Sequence, residues 1–178
     1  GGASGISTFA TQYAKALGAT VVATAGSPEK LEHCLAHGAD YAFDYHDDWA
    51  AAVADATKGR GVDVILDIMG AKYLEANVAS LALDGRLVVI GLQGGRKGTL
   101  DLNRLLTRRA TVTATSLRFR PVGQKAAICT AVAERVWPLI GSGVIRPAPE
   151  TRFGLDDVAA AHRHLESGDN IGKVLLVG

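Results

Sequence analysis

The chain has 178 residues, 48% of them hydrophobic, and its 19 basic and 18 acidic side chains leave a net charge of +1. That suits one good core with a small lobe beside it, and it excludes the charged footprint of a protein that holds nucleic acid or an anionic membrane. Two cysteines, Cys34 and Cys129, cannot build a disulfide framework or a cysteine zinc site, and no segment offers the roughly 18 consecutive apolar residues of a membrane helix.

Apolar residues recur at helical spacing from Ile6 to Leu17, ahead of the stop at Gly18. Thr20 to Thr24 is a short β-branched run, and Ser27, Pro28 and Glu29 read as N-cap, N1 and acidic first turn of a helix that continues from Leu31 to His37. The alternation continues with a strand at Tyr41 to Phe43, a helix at Trp49 to Ala56, a strand at Val62 to Asp67, a helix at Leu74 to Leu83 and a strand at Arg86 to Ile90. Such alternation predicts a parallel sheet with crossover helices, the doubly wound α/β class. The near-continuous apolar runs Val62 to Leu66 and Leu87 to Ile90 suit a sheet covered on both faces. Beyond Asn103 come a short helix at Leu105 to Arg109, a strand at Ala110 to Thr115 and a longer helix at Lys125 to Ile140. A proline-bearing stretch from Val144 to Phe153, a helix at Leu155 to Leu165 and a strand at Lys173 to Val177 follow. Cys34 and Cys129 fall in amphipathic helices, where a lone thiol acts as a small apolar residue.

The sequence Gly1 to Ser7, rich in glycine and directly ahead of the first helix, stands where backbone N–H groups and a helix dipole meet a pyrophosphate in dinucleotide folds. Ser4 and Ser7 replace two glycines of the GxGxxG pattern, so the motif alone is weak, and a plain glycine-rich cap would look similar. About 20 residues on, where an acid reads the ribose of NAD, stand Gly26 for space, Ser27 as a donor and Lys30 as a cation, which favour the 2′-phosphate of NADP. Glu29 is explained by the helix dipole. Asp67, at the carboxyl end of its strand, reads either as a cofactor contact or as a turn residue. The five histidines form no metal pattern and read as solvated helix residues, and Arg118, Phe119 and Arg120 as a mobile loop. No nucleophile elbow or carboxylate pair supports hydrolysis.

The opening Gly1 to Ile6, the run Ala14 to Ala19, the segment Thr24 to Ser27 with Lys30, and Asn170 to Val174 together resemble the zeta-crystallin-like quinone oxidoreductases of the medium-chain dehydrogenase/reductase superfamily. The resemblance implies a Rossmann domain beside a GroES-like catalytic domain, a homodimer, NADPH as cofactor and no zinc. It implies that Ser4, Gly5 and Ile6 lie on the pyrophosphate and that Gly26, Ser27, Lys30 and Tyr45 surround the 2′-phosphate. Gly91, Leu92, Ser116 and Leu117 would hold the nicotinamide half, and Asn170 would close over the cofactor. No residue is assigned as acid, base or nucleophile. Residues 1–125 are expected to form the NADP-binding domain, and 126–178 a helix and return segment to the catalytic domain. A strand is expected ahead of Gly1, so the chain is expected to be part of a longer protein and inactive alone. The expected activity is hydride transfer to a quinone or α,β-unsaturated carbonyl in the cytoplasm, with no nucleic-acid or membrane partner. An enoyl reductase and a non-catalytic NADPH-binding protein are the alternatives.

Overall fold

A computed structural model describes residues 1–178. In chain order the elements are α1 (Gly5–Ala16), β1 (Val22–Ala25), α2 (Pro28–Ala36), β2 (Tyr41–Asp44), α3 (Trp49–Ala56), β3 (Val62–Asp67), α4 (Leu74–Ser80), β4 (Leu81–Val89), α5 (Leu102–Arg108), β5 (Thr111–Ala114), α6 (Val122–Arg135), α7 (Trp137–Gly141), β6 (Glu150–Gly154), α8 (Val158–Glu166) and β7 (Lys173–Val177). Short 3₁₀ turns precede α4 and α8. The chain divides into two compact units, residues 1–47 with 129–178, and residues 48–128.

In the first unit β1 and β2 pair in parallel, from Val22 opposite Tyr41 to Ala25 opposite Asp44. Parallel neighbours need a crossover, and α2 supplies it. The helix starts at Ser27, whose side chain accepts from the Lys30 N–H, with Pro28 in the first turn, and its Cys34 packs with Ala23, Ala25 and Ala39. β6 and β7 form a second parallel pair, Glu150 opposite Lys173 to Gly154 opposite Val177, with α8 between them in sequence. Gln12, buried on α1, ties that helix to the segment ahead of β6. Its Nε2 donates to the Arg146 carbonyl at 3.0 Å, and its Oε1 accepts from the Arg146 N–H at 2.9 Å.

In the second unit β3, β4 and β5 form a parallel three-stranded sheet in that order. One face buries Leu87 with Val78 and Leu81, and Ile65, Val89, Leu105 and Val112 pack against them.

All strand pairs are parallel, as the alternation requires, but they form three separate sheets where one was expected. At the edge of β1 away from β2, the Thr24 carbonyl accepts from the Gly2 N–H at 2.7 Å. The expected double covering of β3 also fails, since Val64 and Leu66 are 55% and 48% exposed while Ile65 faces the core. Boundaries also move. β4 begins at Leu81, inside the predicted helix, and crosses an irregularity at Val62 and Val64 where Asp84 takes a φ of 60°. The predicted helix Lys125 to Ile140 is two helices, because Pro138 lacks the N–H that a continuous ladder needs. α6 buries none of its residues and Cys129 is exposed, against the expectation of a small apolar role.

Candidate functional site

The glycine-rich opening ends at Ser4, the N-cap of α1, whose side chain accepts from the Ser7 N–H at 3.2 Å and donates to the Ser7 hydroxyl at 3.1 Å. Ser7, which departs from the glycine pattern, thus works in the cap. The first turn of α1 has no acidic residue, and Ile6 in it is 55% exposed. The remaining N–H groups of that turn face away from the helix ladder, with the positive end of the dipole behind them.

β1 ends at Ala25 and leads into Gly26 and Ser27. The phenol of Tyr45 lies over Gly26 so closely that a Cβ there would stand 2.9 Å from ring carbon Cε2 and nearer still to Cζ and the hydroxyl. Only glycine admits this approach. The Tyr45 N–H extends the sheet by donating to the Ala25 carbonyl at 3.0 Å. Ser27 spends its hydroxyl oxygen on capping α2, and Lys30, one turn on, donates from Nζ to the Gly168 carbonyl.

Gly168 opens the loop that carries Asn170, and the other end of that loop is tied to the start of α1. Gly172 forms a parallel bridge with Ser4, and its N–H donates to the Ala3 carbonyl at 2.9 Å. The Asn170 amide nitrogen donates to the Gly172 carbonyl at 3.2 Å, while its Oδ1 is buried with no hydrogen-bond partner. The loop therefore runs from Lys30 to Gly5, and the first unit brings together Ser4, Gly5, Gly26, Ser27, Lys30, Tyr45 and Asn170 through these contacts.

In the second unit the carboxyl ends of β3, β4 and β5 lie side by side, the Ile90 N–H donating to the Asp67 carbonyl at 2.8 Å and the Thr115 N–H to the Val89 carbonyl at 3.1 Å. Gly91 and Leu92 leave from one of these ends and Ser116 and Leu117 from the next, with Leu92 and Leu117 both more than half exposed. Residues 91–95 are held by the loop after β3. Gln93 and Gly94 donate to the carbonyls of Ile68 and Met69 at 3.1 and 2.7 Å, and Ala71 donates to Gly95 at 3.1 Å. Asp67 resolves as the anchor of that loop: it is buried, and its carboxylate accepts from the N–H groups of Met69 at 3.1 Å and Gly70 at 2.6 Å.

His33, His37 and His164 are more engaged than solvated helix residues, while His162 is exposed as expected. His33 contacts the Thr8 hydroxyl through Nε2 at 2.9 Å, burial and then the neighbouring His37 hold its pKa below the ordinary value, and His164 has a buried Nε2 with no partner. A cavity of about 520 Å³ is lined by His33, His37 and His164 with Glu29, Glu150 and Asp169 among others, but no group of three or more histidine, cysteine or acidic residues in the chain is arranged to hold a metal ion. Burial raises the pKa of the Cys34 thiol, as befits its packing role. No helix is long and apolar enough to cross a membrane.

Parallel strands joined by helices, a capped glycine loop at a helix start and glycine-bearing loops at carboxyl strand ends define a Rossmann-like α/β fold. The chain belongs to the zinc-binding dehydrogenase family, whose model matches residues 5–129, and within the medium-chain dehydrogenase/reductases it has quinone oxidoreductase relatives. It is 31% identical over 176 residues to a quinone oxidoreductase of Pseudomonas aeruginosa, covering 98% of this chain and 54% of that protein. It is 32% identical over 180 residues to a highly reducing polyketide synthase of Emericella nidulans, covering 98% of this chain and 7% of that one. The crystal structure of Escherichia coli quinone oxidoreductase complexed with NADPH matches with a TM-score of 0.84 and 29% identity, over 99% of this chain and 55% of that one. The chain thus spans about half the length of the quinone oxidoreductases it matches. The zinc in the family's description finds no matching donor set among these residues, since Cys34 and Cys129 stand apart in α2 and α6.

Proposed function

We propose that this chain is the cofactor-binding part of an NADP(H)-dependent oxidoreductase that reduces a quinone or an α,β-unsaturated carbonyl without zinc. The observation that carries the reading is the loop 168–173, fixed to Lys30 at one end and to Ala3 and Ser4 at the other, with the buried, unpartnered Asn170 Oδ1 between them. A buried acceptor without a protein donor leaves a hydrogen bond that a bound ligand can complete. On this reading the N–H groups at Ser4, Gly5 and Ile6 take the pyrophosphate. Gly26, Ser27, Lys30 and Tyr45 take the 2′-phosphate. Lys30 keeps donors to spare, because an ammonium has three and Gly168 uses one. Gly91, Leu92, Ser116 and Leu117 hold the nicotinamide half with backbone groups, and Asn170 closes over the cofactor.

When bound, the dihydronicotinamide supplies a hydride, and the acceptor takes up that hydride and one proton. The protein's part is to orient and to exclude water. No side chain of the chain is assigned as acid, base or nucleophile. The reading extends to organisation: residues 1–125 form the NADP-binding domain, 126–178 return to a catalytic domain, and the protein works as a cytoplasmic homodimer.

Calorimetry tests the cofactor. NADPH is expected to bind more tightly than NADH, and Lys30→Ala to erase most of the difference. Equal affinities in the unaltered protein would overturn the 2′-phosphate assignment. Activity is expected to survive chelation, and stoichiometric zinc whose removal abolishes turnover would contradict the zinc-free mechanism.

A second reading, an enoyl reductase, is favoured by the likeness to a highly reducing polyketide synthase. Turnover of an enoyl thioester in preference to a quinone selects it, and NADPH binding with neither turnover selects a non-catalytic role.

A further inference from the structure

Basic charge is concentrated in one stretch of the second unit. Between Arg96 and Lys125 the chain holds eight of its 19 basic residues and one of its 18 acidic ones, in a molecule whose net charge is +1. Arg104 and Arg109 are paired with Asp101 and Asp84, and Arg108 donates to the Leu81 carbonyl. The other five, Arg96, Lys97, Arg118, Arg120 and Lys125, have no ion pair. Three of these are built into one loop. Arg120 turns back on the carboxyl end of β5, its Nη2 donating to the Thr115 hydroxyl at 2.7 Å and its Nη1 to Gln124 Oε1 at 3.1 Å. The Arg120 N–H donates to the Leu117 carbonyl at 3.2 Å and Lys125 Nζ to the Arg118 carbonyl at 3.0 Å, which closes residues 117–125 on themselves. Every acceptor in the loop is neutral. The Arg118 guanidinium has no hydrogen-bond partner, while Arg120 keeps three N–H donors to spare and Lys125 two. Cations fixed in this way, with no carboxylate among them, favour an anion from outside the chain.

We propose that Arg118, Arg120 and Lys125 form an anion subsite for the acceptor, so that the molecule reduced carries a negatively charged group, such as a phosphate or carboxylate, besides its reducible bond or ring. The inference rests on the hydride-transfer reading above and narrows its substrate class. The loop leaves β5 through Ser116 and Leu117, which that reading assigns to the nicotinamide half. The cofactor's own phosphates are assigned there to residues of the first unit. An anion at this loop therefore belongs to the acceptor, the other molecule at the nicotinamide. Phe119, 84% exposed and between the two arginines in sequence, adds an apolar face that suits an organic anion better than inorganic phosphate.

The test is steady-state kinetics of the full protein carrying this chain, at saturating NADPH, with two pairs of acceptors. Crotonyl-coenzyme A and crotonyl-N-acetylcysteamine share an enoyl thioester, with and without phosphates. 1,4-Naphthoquinone-2-sulfonate and 1,4-naphthoquinone share a quinone ring, with and without an anion. The pair that shows the preference tells whether the charge comes with a thioester's carrier or with a quinone's ring. In that pair the anionic member is expected to have the higher kcat/KM by on the order of tenfold, through KM, and to lose the advantage as salt is raised. Arg118→Gln is expected to remove most of the advantage and Arg118→Lys to keep most of it. Arg118 is exposed and unpartnered, so the melting temperature is expected to be the same in both variants. Equal kcat/KM within both pairs overturns the anion subsite and leaves the hydride-transfer reading standing, and so does an anionic advantage that Arg118→Gln leaves intact. If Arg118→Gln instead weakens NADPH binding in calorimetry and leaves the acceptor ratio alone, the loop serves the cofactor and the inference is overturned. Failure of the unaltered protein, with NADPH bound, to reduce any of the four acceptors overturns the hydride-transfer reading, and the subsite falls with it.

Discussion

Gly26 and Tyr45 illustrate how one missing side chain sets a binding surface. With any Cβ at position 26 the Tyr45 ring must swing away, because ring carbons and the hydroxyl already fill that space. Gly26→Ala is expected to destabilise the chain by about 1–3 kcal/mol through overpacking. Tyr45→Ala in the same chain should recover most of that loss, and a double-mutant cycle by denaturant unfolding measures the coupling. His33 gives a pH dependence. Burial, reinforced by His37, lowers its folded pKa, so the unfolded chain binds the proton more readily. Its contribution to stability is present above the unfolded value of about 6.5 and is lost as pH falls below it. Unfolding free energy should therefore decline as pH falls below about 6.5 in the native sequence, and less so in His33→Gln.

At the scale of elements, the loop after β3 is the support for residues 91–95. Asp67→Ala leaves the part-buried Met69 N–H and the buried Gly70 N–H without their acceptor, a loss of about 1–3 kcal/mol. Hydrogen exchange at the Gln93 and Gly94 amides, which donate into that loop, should accelerate more than exchange within β5. Unchanged protection at those amides would separate Asp67 from the neighbouring loop. Elements were legible where local chemistry and packing agree. α3 follows its Asp48 cap, while β3 and β7 are short apolar runs, and all three lie where the residue pattern put them. α5 starts earlier than its apolar spacing suggested, at a cap that was in plain sight: Asp101 accepts from the N–H groups of Asn103 and Arg104. The first half of β4 was hidden because Asp84 and Gly85 look like a turn, whereas the strand passes through them with one irregular pairing. Of the candidate site, Gly26, Ser27 and Lys30 are near neighbours in sequence and could be read from one another. The approach of the Asn170 loop to the start of α1 could not, since only the bridge between Ser4 and Gly172 makes it. The role of Asp67 was open for a similar reason, as a carboxylate accepting two local N–H groups has the same sequence as one facing a ligand.

Over the whole molecule, the distribution of exposed apolar side chains is uneven in a way that bears on behaviour in solution. Leu102, Leu106, Phe119 and Val122 are each at least 70% exposed, and Trp137 is 65% exposed. A chain carrying that much uncovered apolar surface is expected to self-associate when expressed as these 178 residues alone. Sedimentation velocity over a concentration series checks this, with a concentration-independent monomer as the contrary result. Left-handed backbone is distributed unevenly too. Every positive-φ residue in the unit of 1–47 and 129–178 is a glycine, whereas Lys58, Asp84 and Arg109, with φ of 53°, 60° and 50°, all lie in 48–128. Asp84 and Arg109 are joined by an ion pair at 2.8 Å, so replacing either gives up a contact along with the strain. Lys58 has no such bond to lose. Protein engineering thus has an opening at this position: Lys58→Gly should raise the melting temperature by trading left-handed strain of about 1–2 kcal/mol for a smaller loss of chain entropy, at a position outside the residues assigned to the cofactor.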